Sequence, residues 1–304
     1  MSGPTVGLDG STREVLRRLE LEVTHRLDGL LHGDHRGLVP GHGTELGETR
    51  EYAPGDDVRR IDWNVSARLP EVHIRQTIAE RELETWLVVD RSPRLDFGSA
   101  RCEKRELTLA AAAAVGFLTN SDGNRIGALL AGRGAPLTLP ARGSRTHLLR
   151  ILHELAATPR EDGRGVTDLV EPFERLTTLA RRRGLVVAIS DFRVQPGWER
   201  ALAVLARRHE VLAVEVSDPL EHELPDVGLL PVIDPATGEI TEVPTHKPKV
   251  RAAYAAAAAE RRATLEDTFR RHRIDHLSLR TDHDWLDEVV HFIARRRHRL
   301  RRAS

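Results

Sequence analysis

Residues 85–94 read TWLVVDRSPR, and the fold turns on this stretch. TWLVVD is apolar almost without interruption instead of alternating, as expected of a strand covered by helices on both faces. The run stops at Asp90, which can be a metal ligand, a nucleophile or a cap for the following turn. Arg94 bears on whether a cation can share that space. Three later runs have the same texture: RIGALLAG (125–132), GLVVAISDF (184–192) and EVLAVEVSD (210–218).

Helix-like segments separate these runs. EKRELTLAAAAAVGFLTN (103–120) is alanine-rich and strongly helical in propensity. RTHLLRILHELAAT (145–158) places Leu148, Leu149, Leu152 and Leu155 at three- and four-residue spacing. TDLVEPFERLTTLARRR (167–183) and GWERALAVLARRH (197–209) behave likewise, and Pro172 suits a first turn better than a helix interior. Strands alternating with helices predict an α/β fold with a doubly wound, mostly parallel, Rossmann-like sheet. APLTLPAR (135–142) follows its predecessor closely and reads as a hairpin edge strand.

The flanks differ. Up to about residue 82 the chain is rich in glycine and charge. Beyond Pro219, LLPVIDPATGEITEVPT (229–245) reads as a hairpin around Asp234–Gly238, followed by a long helix over about 249–273. DHLSLRTD (275–282) then offers a last strand before a helix to about 300. This divides the chain into an N-terminal segment (1–83), a core (84–220) and a C-terminal hairpin and helical elaboration (221–304). The closing ARRRHRLRRAS is either a solvated helix end or a basic contact for nucleic acid or lipid.

Composition narrows the function classes. The chain has 304 residues, 40% hydrophobic and 30% charged, with 46 basic against 46 acidic. Such a balance supplies no global field for nucleic acid. Only Lys104, Lys247 and Lys249 are lysines, which reflects either fork-like arginine pairing or a base-composition bias. Cys102 is the sole cysteine, so an internal disulfide framework and a cysteine-based zinc site are excluded, and a reducing cytoplasmic setting is expected. No run approaches the roughly 20 apolar residues of a membrane span. The first residues lack the basic-then-apolar order of a signal peptide.

In an open α/β sheet, ligands bind beyond the carboxyl ends of the strands. Asp90 with Ser92, Thr167 in GRGVTDL, and Asp191 in AISD place carboxylates and hydroxyls on three such loops. Hard cations such as Mg²⁺ or Mn²⁺ favour that oxygen set. Taken singly, Ser92, Thr167 and Asp191 could equally be helix caps or turn residues. His32, His35 and His42 on a glycine-rich loop lack the carboxylate or cysteine spacing of a zinc site. No phosphate-binding glycine loop is present, and Ser190 lacks a nucleophile elbow.

DRSPRLDFGS (90–99), GVTDL (165–169) and ISDF (189–192) resemble the three loops of a von Willebrand factor type A-like domain, where an Asp-x-Ser-x-Ser motif, a distant Thr and a later Asp form a metal-ion-dependent adhesion site. More specifically, residues 36–82 resemble the signature of the bacterial domain-of-unknown-function 58 family. Arg50, Tyr52, Pro54, Gly55, Asp56, Asp57, Arg59, Ile61, Asp62, Trp63, Ala67 and Arg68 carry the match. The resemblance covers roughly residues 24–220. It implies a metal site at Asp90, Ser92, Thr167 and Asp191, and a non-enzymatic interaction protein. It further implies a MoxR-type AAA+ ATPase as partner, with a role as adaptor in assembling or remodelling client complexes.

Two features qualify that expectation. Arg94 stands where the second motif serine belongs, and a unit charge about 5 Å from a divalent ion costs roughly 7 kcal/mol at an effective dielectric near 20. The arginine can instead pair with Asp90 or Asp191 and supply the charge itself. APGDD (53–57) reads as a turn, and the surrounding Arg59, Asp62 and Trp63 form either a partner-contact platform packed by Trp63 or a structural brace. The enzyme alternative is a phosphatase of the haloacid dehalogenase type, which needs a second aspartate two residues after the first. Position 92 is serine.

Overall fold

The computed structural model describes residues 12–31, 49–53, 58, 61–75, 83–119, 124–132, 134–157, 159, 167–233 and 238–303. The chain opens with helix α1 (Thr12–Leu31), then strands β1 (Thr49–Glu51) and β2 (His73–Arg75) with a single-turn helix α2 (Trp63–Ser66) between them. β1 and β2 pair antiparallel as a ribbon of their own.

The six remaining sheet strands follow the apolar runs. They are β3 (Glu84–Asp90), β4 (Arg125–Ala131), β5 (Leu137–Arg142), β6 (Leu185–Ser190), β7 (Glu210–Ser217) and, after a separate hairpin of β8 (Leu229–Ile233) and β9 (Ile240–Pro244), β10 (Asp275–Arg280). The spatial order is β5-β4-β3-β6-β7-β10, and every pairing is parallel except β4 with β5. Counted along the chain within this sheet, that is the order 3-2-1-4-5-6 of doubly wound nucleotide-binding sheets. The expected mostly parallel sheet and its hairpin edge strand are both present. The centre of the 229–245 hairpin falls outside the described residues.

The uninterrupted apolar character of the strands has a direct cause. Leu87 and Val89 of β3, Val187 and Ile189 of β6, and Leu212 and Val214 of β7 enter one core. Their neighbours Trp86, Val88, Val186, Ala188, Val211 and Ala213 enter the other. Successive side chains point to opposite faces, and both faces are covered. The first face is packed by α1, α3 (Lys104–Thr119), α4 (Arg145–Ala156) and α8 (Trp285–Ala303). The second is packed by α5 (Val170–Leu179), α6 (Trp198–Ala206) and α7 (Pro248–Arg271). Pro172 indeed lies in the first turn of α5.

Two boundaries need redrawing. The core does not end at residue 220, because β10 pairs in register with β7 from Asp275↔Leu212 to Arg280↔Ser217, and α8 buries Trp285, Leu286, Val289 and Phe292 on the same face as α3. The hairpin and α7 are an insertion ahead of the last strand. Likewise, α1 buries Val15, Leu16, Leu19 and Val23 in that core, a stripe with four-residue spacing that makes part of the N-terminal segment a core helix.

Candidate functional site

The chain leaves β3 toward β4 on one side and β6 toward β7 on the other, so a crevice opens where the ends of β3 and β6 meet. Asp90 closes β3, fully buried. Its Oδ2 accepts a hydrogen bond from the Ser190 hydroxyl at 2.7 Å, and its Oδ1 accepts one from the Ser92 backbone N–H at 2.8 Å. Ser190 Oγ in turn accepts the Phe192 N–H at 3.0 Å. Among the described residues no charged side chain pairs with this carboxylate.

One residue beyond β6 the arrangement changes. Asp191 Oδ2 lies 2.8 Å from the Lys104 ammonium and 3.7 Å from Arg94 Nε, while Oδ1 accepts the Arg193 N–H at 2.9 Å. Lys104 also donates to Glu221 Oε1 at 2.8 Å, and Arg193 Nε stands 3.4 Å from the same oxygen. Three cations and two carboxylates therefore interlock around a lysine that is almost wholly buried.

Local sequence builds this cluster. Pro93 opens a short 3₁₀ turn over 93–95 that carries Arg94 toward the crevice. Gly98 then allows the loop to fold on itself: a Cβ there would lie 2.2 Å from the Cys102 carbonyl oxygen. Asp218 ties the same loop to the ends of β7 and β10, accepting from Ser99 N–H at 2.8 Å and from the Thr281 hydroxyl at 2.6 Å. Lys104, the first residue of α3, is thus delivered to Asp191. On the other side Phe192 adopts φ 51°, a left-handed conformation costing roughly 1–3 kcal/mol for a non-glycine residue. Its ring is held by Trp198 and Phe269, with centroids 5.0 and 5.2 Å away.

The two aspartates diverge electrostatically. Burial, then the neighbouring Asp191 charge, pushes the Asp90 carboxyl up to about 6. Asp191 is equally buried, but Lys104 and then Arg94 overcome that and hold it near 2. Burial pulls the Lys104 ammonium down, and Asp191 and Glu221 more than reverse it, so its pKa stands above the ordinary lysine value.

The residues expected to ligate a metal meet only in part. Ser92 is buried at the head of the 3₁₀ turn; among the described residues its hydroxyl makes no well-formed hydrogen bond, though it lies near enough to Asp90 to help lower that carboxyl's pKa. That oxygen suits a ligand. Thr167 is buried against the β6–α6 loop, its carbonyl accepting the Gln195 N–H at 3.4 Å; among the described residues no hydrogen bond joins its hydroxyl to either aspartate. The decisive member is Asp191, whose Oδ2 is already held by an ammonium at 2.8 Å. A Mg²⁺ or Mn²⁺ ion would need that oxygen and would face Lys104 and Arg94 at close range. The donor set does not fit a divalent cation while Lys104 is in place. Among the described residues no group of three His, Cys, Asp or Glu side chains has metal-binding geometry.

The signature residues fare differently. Arg94 does reach the crevice, pairing with Asp191 and not with Asp90. Asp62 is the N-cap of α2, its Oδ1 accepting from the Asn64 and Val65 N–H groups at 3.1 and 3.3 Å, which gives it a structural task. Trp63 does not pack the platform: it is 70% exposed, because α2 is a single turn that buries none of its residues. Arg59, the 54–57 turn and His32, His35 and His42 lie outside the described residues. Sequence reasoning missed Lys104, Glu221 and Arg193 as site residues, and weighed Ser190 only as a nucleophile, not as the partner of Asp90. Lys104 alone carried a signal, as a scarce lysine at a helix N-terminus, where the dipole disfavours a cation unless an anion faces it.

The family model described as Protein of unknown function DUF58 matches residues 48–264. Uncharacterized protein Rv1480 of Mycobacterium tuberculosis (strain ATCC 25618 / H37Rv) is 50% identical over 289 residues, covering 95% of this chain and 91% of that protein. Uncharacterized protein MAV169 of Mycobacterium avium is 41% identical over 159 residues, 52% of this chain and 94% of its own. Among solved structures, the conserved hypothetical protein BatB from Bacteroides thetaiotaomicron is 13% identical with a TM-score of 0.42, covering 71% of this chain and 99% of that one. The SpRpn10 VWA domain is 13% identical with a TM-score of 0.40, covering 68% and 94%.

Proposed function

The chain belongs to the DUF58 family, and from that premise we propose that it is a non-enzymatic protein-interaction module acting as adaptor or co-factor of a MoxR-type AAA+ ATPase. In this reading it works in the cytoplasm, and the strand-end crevice takes part in assembling or remodelling a client complex. The ATPase enters through the family resemblance of residues 36–82. The recognition role is supported by one observation: the charges beside Asp191 are mutually compensated and held in place, which makes a fixed surface and not a reacting group. A phosphatase reading has less support. Asp90 is fully buried with both oxygens engaged, and Ser92 supplies no acid or base. Among the described residues, no helix is long and apolar enough to cross a membrane.

The test is co-purification of the full chain with the MoxR-type ATPase from the same genome. We expect a stoichiometric complex that Arg94→Glu weakens at least tenfold. Absence of any complex between the two purified proteins overturns the adaptor reading.

A further inference from the structure

Next to the crevice, the loop after β6 and the outer turns of α7 enclose an open cleft of about 630 Å³. Arg94 and Arg193 project into it from the sheet side and Arg261 from α7. Among the described residues the buried Nε–H groups of all three make no hydrogen bond, although those of Arg94 and Arg193 stand 3.7 and 3.4 Å from Asp191 and Glu221 oxygens. Arg94 and Arg193 are partly neutralised by Asp191 and Glu221, whereas Arg261 makes no ion pair among the described residues. Burial, then the neighbouring Arg193 charge, pushes the Arg261 guanidinium below its ordinary value. Crowded guanidiniums with idle donors are stabilised by an anion that can accept several N–H bonds at once.

The remaining lining says which anion. Val194 and Pro196 from the loop after β6, Trp198 at the start of α6 and Ala257 of α7 add apolar lining. Glu199 and Glu260 also line the cleft, so with Asp191 and Glu221 four carboxylates stand against Arg94, Arg193, Arg261 and Lys104. That balance supplies no field for a nucleic-acid backbone and leaves Arg261, which has no ion pair among the described residues, to meet an incoming carboxylate. The volume is far larger than a free phosphate needs. We propose that this cleft binds a short acidic and apolar segment of a partner protein, with Arg94, Arg193 and Arg261 gripping its carboxylates and Val194, Pro196 and Ala257 packing its apolar side chains. Arginine clusters are a recurring means of acidic-motif recognition. The inference rests on the reading of this protein as an interaction module and names the chemistry of what it takes.

The experiment measures fluorescence anisotropy of a labelled peptide of alternating leucine and glutamate with the full chain. Its leucine–glutamine twin and inorganic phosphate serve as comparisons. We expect saturable binding of the acidic peptide, at least tenfold weaker for Arg261→Gln and intermediate for Arg261→Lys, with no change for Arg270→Gln. Arg270 is an exposed arginine paired with Asp267 outside the cleft. Melting temperatures of the Arg261 variants verify folding, and Arg193→Gln repeats the test from the opposite wall. Equal loss in Arg270→Gln, equal binding of the glutamine twin, or phosphate alone binding with the same Arg261 dependence and displacing the peptide would each overturn the proposal. Peptide binding that does not depend on Arg261, with ATPase capture intact, would overturn the proposal while leaving the adaptor reading intact. Peptide binding without any ATPase complex does the reverse.

Discussion

The ends of β3 and β6 are neighbours in one sheet, yet they solve the same problem in opposite ways. Each presents a buried aspartate. At β3 the charge of Asp90 is met by a hydroxyl and a backbone amide. Immediately after β6, Asp191 is met by an ammonium and a guanidinium. The difference is one of partner valence: dipoles soften a buried charge, whereas a paired cation cancels it. It teaches that the compensating charge of this site is built into the chain and belongs to the β6 side. The β3 carboxylate is left with its pKa raised to about 6.

The most severe way to break this asymmetry is to remove the cation. Lys104→Met leaves Asp191 and Glu221 facing each other in a buried setting, and truncating one partner of a buried ion pair costs about 3–5 kcal/mol. Urea denaturation at pH 7 should show a loss of that size. Because carboxylates left with only the more distant Arg94 and Arg193 recover by taking up a proton, the deficit should shrink as pH falls toward 5. Mg²⁺ at millimolar concentration should raise the melting temperature of the variant, where oxygens are freed, and leave the wild type unchanged. A wild-type melting temperature that climbs with Mg²⁺ would refute the built-in cation.

How much of this was legible beforehand follows the range of the interactions. The sheet was readable because strand period and helix period are local, and the runs 85–90, 184–192 and 210–218 each declare burial on both faces. β10 was readable as a strand, but not as a member of the core. Its partner β7 lies some sixty residues earlier, and the hairpin and α7 hide the connection. The aspartates were found because they end apolar runs. Lys104 pairs with Asp191 across 87 positions, and nothing in its neighbours EKREL states that it is buried. Arg94 was flagged correctly as the departure from the motif, but the nearer cation proved to be an ammonium.

A milder perturbation tests the β3 side. The folded pKa of Asp90 is raised to about 6 from an ordinary 3.8. Between those values the native state holds a proton that the unfolded chain has released. Stability contributed by this group is therefore present below pH 4 and lost as pH rises through 6, an effect on the order of 3 kcal/mol. Asp191 runs the other way: its contribution is present above pH 4 and lost as pH falls toward 2. Asp90→Asn keeps an acceptor for the Ser92 amide and presents its NH₂ to the Ser190 hydroxyl, while removing the titration. Its stability should decline less from pH 4 to 7 than that of the wild type, because the Asp90 contribution is gone. Parallel pH profiles for the two proteins would show that Asp90 is not the strained partner.

The two serines sharpen the comparison most finely. Ser190 Oγ donates to Asp90 and accepts from Phe192, so Ser190→Ala removes a hydrogen bond to a charged group and strands a buried amide, costing about 1–3 kcal/mol. Ser92 Oγ is buried and, among the described residues, makes no well-formed hydrogen bond, only a weak approach to Asp90. Deleting it removes a poorly satisfied hydroxyl and leaves a gap of one atom, so Ser92→Ala should fall between neutral and about 1 kcal/mol more stable. Paired denaturation curves of the two variants decide between a dipole-held carboxylate and a metal ligand set. If Ser92 completes a cation's shell, its loss must destabilise the protein in Mg²⁺ and leave it unaffected in chelator. If the β3 end is held by Ser190 alone, the Ser92 variant ignores both, and only the Ser190 variant weakens.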